Sequence, residues 1–152
     1  MIKAEYEKLA KKHKLPNYGD VNNELEISSL ESEDFLLRQI RKKIAERIDE
    51  ITEVLGSILQ PSADSMADMH ECRFFEDKDK GKVVDVYKRL MILRRQATEA
   101  GITHDEKDEA ALVSGFFKQW PEMKKELLPF IKKMKSCWEH ETEIEEKLEY
   151  FG

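Results

Sequence analysis

"SSLESEDFLLRQIRKKIAERIDEITEVLGSIL", residues 28 to 59, decides the fold. Leu37, Ile40, Ile44, Ile48, Ile51, Leu55 and Ile58 recur at spacings of three and four, which places them along one stripe of an α-helix. Ser28 followed by Glu31 reads as a capping box, each side chain satisfying an orphan backbone N–H of the first turn. No proline interrupts the pattern before Pro61, so the spacing predicts a helix over about 30–59, roughly 40 Å long. Leu37, Ile44, Ile51 and Ile58 also repeat every seven residues, but Arg41 breaks the companion positions. The spine of a helical bundle fits this pattern better than a free coiled coil.

The flanking sequence continues in the same period. Ile2, Tyr6, Leu9 and His13 share a face that Leu15-Pro16 ends. "NYGDVNNEL" (17–25) holds a short turn with Tyr18, Val21 and Leu25 on one side. Ser62 or Asp64 caps a helix carrying "MHECRFF" (69–75), and Asp77 or Asp79 starts the next, with Val83, Val86, Tyr87, Leu90, Leu93 and Ala97 as its stripe. Gly101-Ile102 suits a left-handed C-terminal cap with a hydrophobic contact behind it. Asp105 caps a helix whose Leu112, Val113, Phe116, Phe117 and Trp120 face inward, and Trp120-Pro121 ends or kinks it. A last helix from about Glu122 bends near Pro129 and continues through Ile131, Met134 and Trp138. No stretch alternates with the period of a strand. The expectation is an all-α fold, a single domain over 1–152 built as a bundle of about six helices around the long central helix, with 141–152 an extended acidic helical tail.

Composition narrows the function classes. In 152 residues, 38% are charged and 40% hydrophobic, enough to bury a core and too polar for a membrane protein. No apolar run approaches the roughly 20 residues that span a bilayer. "MIKAEYEKLAKK" (1–12) lacks the apolar region of a secretory signal, and Cys72 and Cys137 alone make no disulfide framework, so the expected compartment is the cytoplasm. Of the net charge of −6, residues 139–152 supply −5 through six glutamates and one lysine.

Three kinds of chemistry are written in the motifs. Cys72 with Cys137 and His140 is the candidate metal set, because Cys137 and His140 lie three apart and share a helical face. His70 and Cys72 lie two apart and point to nearly opposite sides, so the expected roles are a small buried Cys72 and a partly exposed His70. His104-Asp105 is a tandem pair of the kind that ligates metal in helical phosphohydrolases, with His70 as a further ligand, but no aspartate follows Asp108 to close the set. Asp105 already has a sufficient role as a helix cap. The acidic pairs Glu46/Asp49 and Glu50/Glu53 sit on one helix beside Arg41, Lys42 and Arg47, as a solvated face does. "DKDKGK" (77–82) lacks the closing glutamate of a calcium loop, and Gly81-Lys82 lacks the flanking residues of a phosphate loop. No cofactor is expected.

Basic clusters make the second class. "RQIRKK" (38–43), "KRLMILRR" (88–95) and "KKELLPFIKKMK" (124–135) offer Arg38, Lys42, Arg94, Arg95, Lys132 and Lys133 as candidate phosphate contacts. The third class is apolar surplus. Val84, Met91 and Ile92 lie beyond the main stripe of their helix, and Ile144, Leu148 and Phe151 punctuate the acidic tail. This surplus gives the leading expectation: a non-enzymatic protein–protein interaction or assembly module that meets a protein partner or itself. Nucleic-acid association through the basic faces is the alternative, and a metal-dependent phosphohydrolase the weaker one.

Overall fold

In the computed structural model, which describes residues 1–139, every regular element is helical. The α-helices are α1 (Ile2–His13), α2 (Tyr18–Leu25), α3 (Leu36–Leu59), α4 (Met66–Cys72), α5 (Asp77–Thr103) and α6 (Glu106–Cys137), with a 3-10 turn at Ile27–Ser29. No strand occurs among the described residues, so the all-α expectation holds. None of these helices is long and apolar enough to cross a membrane.

Two compact units share the chain. Unit 1 comprises Met1–Thr52 and Arg89–Pro121, and unit 2 comprises Glu53–Lys88 and Glu122 onward. Their boundaries fall inside α3, α5 and α6.

Unit 1 buries Tyr6, Val21, Ile27, Ile40, Ile44, Ile48, Leu90, Leu93, Leu112 and Phe116. Tyr6 donates its hydroxyl to the Pro16 carbonyl at 2.6 Å, tying the end of α1 to the loop after it. Burial, with help from the Asp20 charge, pushes that phenol well above its usual range. The stretch 17–25 is a full helix rather than a turn, because the Asn17 side chain accepts the Asp20 N–H at 2.8 Å and caps it. Unit 2 buries Leu55, Ile58, Phe75, Val83, Met123, Leu127, Phe130 and Met134, with α4 started by the Ser65 hydroxyl accepting the Asp68 N–H at 3.1 Å.

Several boundaries differ from the sequence expectation. The long helix begins at Leu36 rather than near 30, and Ser28 lies in the 3-10 turn, where its N–H bonds the Asn22 side chain. Residues 30–35 are held out of the helix by local polar bonds. The Ser32 hydroxyl accepts the Asp34 N–H, and the Gln39 amide reaches back to the carbonyls of Ser32 and Asp34 at 2.9 and 2.7 Å. Phe35 adopts a left-handed backbone, φ 51°, and its exposed ring lies 4.5 Å from the Arg38 guanidinium.

At the other ends, α6 passes through both Pro121 and Pro129 instead of breaking into two helices. Each proline removes one intrahelical N–H. Trp120, Met123, Leu127, Phe130 and Met134 nevertheless stay buried at spacings of three and four, and that burial carries the helix across. Helix α5 likewise continues past Gly101. Its left-handed cap is His104, φ 54°, whose N–H reaches the Ala100 carbonyl at 3.0 Å. Gly101 is helical, and its missing side chain is what admits Arg41: a Cβ there would collide with the Arg41 guanidinium. Asp105 caps α6 as expected, accepting the Lys107 N–H at 2.8 Å.

Candidate interaction surface

Helix α5 exposes large apolar side chains on its outer face, and more fully than α6 does at Leu128 and Ile131 or α4 at Met66 and Met69. Within unit 1 its inner side is Leu90, Leu93, Ala97 and Ala100, each about 1% exposed or less. At 100° per residue, the positions opposite Ala97 are 92, 95, 99 and 102. These are Ile92, Arg95, Glu99 and Ile102, all exposed, with Ile92 68% and Ile102 75% accessible. Met91 borders the stripe and is half-buried. Ile102 corrects the sequence expectation, which placed it behind a glycine cap; with the cap moved to His104 it points to solvent.

Charges beside the stripe are organised in two ways. Arg94 is fixed, its Nε 2.8 Å from Asp49 Oδ1 on α3 and its Nη1 3.2 Å from Thr98 Oγ1. Arg95 and Glu99 form no ion pair among the described residues. Deeper in unit 1, Glu109 on α6 is 5% exposed and faces Arg41 Nε at 3.4 Å and Arg38 Nε at 3.9 Å. Nearby in sequence, Glu106 accepts Lys12 at 2.9 Å and meets His13 at 3.4 Å. The Lys12 hydrogen bond, with smaller help from His13, holds the Glu106 carboxyl below the ordinary carboxylate range.

In unit 2 an open cleft of about 610 Å³ has Phe75, Val86, Pro129 and Phe130 among its lining residues. Lys133 closes one wall by bonding Asp79 at 2.7 Å with its ammonium 5.3 Å from the Phe75 ring. That bond, with the Glu76 N–H donated to the same carboxylate, lowers the Asp79 pKa. Val84, the third residue of the expected apolar surplus, is 36% exposed in this unit.

The stretch "MHECRFF" resolves against the expected roles. His70 is the buried member, 1% exposed, and Cys72 the half-buried one. The His70 Nε2–H donates to the Cys137 carbonyl at 3.0 Å, which fixes a proton on that nitrogen because a carbonyl only accepts. Its ring lies 4.4 Å from Trp138 and 5.4 Å from Phe74, and the Trp138 indole N–H donates to Glu71 at 3.0 Å. Aromatic contact therefore inverts the burial expected from residue type. Neither Cys72 nor Cys137 is in a disulfide, and their thiols bond helical carbonyls, at Met69 and Met134 respectively. Among the described residues no three His, Cys, Asp or Glu side chains stand close enough to hold a metal ion. His140, Ile144, Leu148 and Phe151 lie outside the described residues.

The basic candidates are dispersed in their engagements. Arg38, Arg94 and Lys133 each face a carboxylate, whereas Lys42, Arg95 and Lys132 are exposed. Sequence reasoning singled out Ile92 and Arg95 but missed Glu109, whose burial left no mark in a charged stretch, and Glu99, whose importance depends on the face it shares. No protein-family model, curated protein or solved structure matches the chain.

Proposed function

We propose that this protein is a non-enzymatic protein–protein interaction module that works through the outer face of α5 in unit 1. The observation that carries the reading is the pair Ile92 and Ile102, two large aliphatic side chains 68% and 75% exposed on one helical stripe. Single exposed apolar residues are ordinary, but two on the same stripe, spaced by an ion-pair-capable Arg95 and Glu99, form a small contact surface with a polar middle. The engagement of Arg38, Arg94 and Lys133 by carboxylates favours a protein partner over a phosphate backbone. Two cysteines outside any disulfide support a reducing compartment, the cytoplasm.

Site-specific photo-crosslinking tests the reading. A benzophenone side chain at position 92 or 102 is expected to give a discrete adduct in extracts of the source cell, competed by excess unmodified protein. The same group at exposed Lys118 of α6 serves as control. Adducts at 92 and 102 no stronger than at 118, or not competed, would overturn it.

A further inference from the structure

The order of residues along the α5 stripe is symmetric. Ile92 and Ile102 lie five residues either side of Ala97, and Arg95 and Glu99 lie two either side. All four fall within about 40° of the direction opposite Ala97, at 100° per residue. Running the helix backwards therefore exchanges isoleucine with isoleucine and arginine with glutamate. A surface with that property is complementary to a copy of itself turned through 180°.

Resting on the interaction reading above, we propose that the partner is a second copy of this chain, docked antiparallel along α5 about a two-fold axis that passes at the level of Ala97 on the helix's opposite, exposed face. In that register Ile92 of each copy covers Ile102 of the other, and Arg95 of each meets Glu99 of the other, so one patch forms the same ion pair twice. Isologous closure of this kind is the commonest symmetry of soluble oligomers. The charge order supports the intermolecular pairing. Within one helix an arginine four residues before a glutamate is the weaker orientation against the helix dipole, and the two side chains form no ion pair with each other here. Across an antiparallel pair they meet directly. Neither residue is engaged elsewhere in the described chain, so docking breaks no existing bond.

Four residues per copy cover far less than the roughly 1,200 Å² of a standard stable interface, which sets the expected affinity. The dimer is a weak, reversible one, with Kd on the order of 100 µM. The isoleucines supply the attraction, and the charges fix the register.

Sedimentation equilibrium of the full chain from about 10 µM to 1 mM tests this, with the range set by that affinity. The weight-average mass is expected to climb toward twice that of the chain, and Ile92→Asp to hold it at one chain throughout with an unchanged melting curve. Charge exchange identifies the geometry. Arg95→Glu sets four acids together and Glu99→Arg four bases, so each single variant should self-associate at least about fivefold more weakly. Mixed in equal amounts, the two variants should form a heterodimer tighter than either homodimer, and the double variant R95E/E99R should recover wild-type association. Single variants that associate like wild type, or a mixture no tighter than its components, would overturn the register. A chain that stays monomeric at 1 mM yet crosslinks to another protein through position 92 would overturn the second-copy proposal and leave the interaction reading standing.

Discussion

Two regions of unit 1 reverse the ordinary distribution of polarity, and they do so for different reasons. Inside, Glu109 is 5% exposed and shares its surroundings with Arg41 and Arg38. Outside, Ile92 and Ile102 are among the most exposed large apolar residues of the described chain. The buried charge is answered by the protein itself: opposite charges approach from α3, and Gly101 on α5 clears the space that the Arg41 guanidinium needs. The exposed isoleucines are answered by nothing in unit 1. An internal charge that has been provided for is part of the fold's own stability, whereas an external apolar pair without a neighbour costs the isolated chain little and gains its value only when something covers it. The contrast predicts that substitutions inside will act on folding and substitutions outside on association.

The largest expected effect is therefore at Glu109. Glu109→Ala leaves two arginines facing one another without their counter-ion, and removal of one partner from a buried pair should cost about 3 kcal/mol. Urea unfolding checks it through a lower midpoint at unchanged slope. A wild-type midpoint would mean that Arg41 and Arg38 reach solvent readily, and the contrast between the two regions would lose its inner half.

Gly101→Ala probes the same cluster with a change that helix propensity favours by about 1 kcal/mol. The added Cβ meets the end of the Arg41 side chain, which must move and in doing so leaves Glu109. A net loss of about 1 kcal/mol is expected, since the broken buried pair outweighs the propensity gain. In an Arg41→Ala background the collision is gone, and the same glycine change should become stabilising. That reversal of sign, read from a double-mutant cycle, isolates the steric role of Gly101 from its helix propensity.

Outside, Ile92→Lys and Ile102→Lys should each change unfolding free energy by no more than about 0.5 kcal/mol, because neither side chain is packed. Both should weaken the α5 crosslinking and concentration-dependent association. A large loss of stability from either would show that the residue is held by the fold, and the outer half of the contrast would fail instead.

How much of this was readable beforehand follows from the range of the forces involved. Periodicity is local, so α1, the α3 stripe and the start of α5 at Asp77 were legible from the spacing of apolar residues. Ends were less so. Ser28 satisfies the capping-box pattern, but Ser32 and Gln39 offer competing bonds to the backbone, and the helix waits until Leu36. Pro121 read locally as an end or kink and Pro129 as a bend, whereas the burial of Trp120, Met123, Phe130 and Met134 is a tertiary matter that carries one helix through both. His70 and Cys72 exchanged their expected burial because the aromatic partner, Trp138, is distant in sequence. Of the interaction surface, Ile92 was visible as apolar surplus. Ile102 was not, because the same glycine that suggested a cap was instead spent on admitting Arg41.

The smallest expected effect sharpens the inner side of the comparison at its solvent-facing edge. Glu106 is 44% exposed at its side chain and is bonded by Lys12, itself 65% exposed. Its folded pKa lies below its unfolded value, chiefly because of the Lys12 hydrogen bond. A carboxyl depressed in this way contributes stability above the unfolded pKa and loses it as pH falls through the folded pKa. Lys12→Ala should therefore raise the Glu106 midpoint toward the ordinary carboxylate value, followed by the side-chain carboxyl carbon resonance. It should also destabilise the protein at neutral pH by only about 0.3 kcal/mol, since water screens an exposed pair, and that difference should vanish below the folded midpoint. His13 faces the same carboxylate at 3.4 Å, so part of the depression should persist in the variant. A Glu106 midpoint unmoved by Lys12→Ala would assign the depression to His13 instead. The edge of the inner cluster would then be set by the α1 histidine rather than by the α1 lysine.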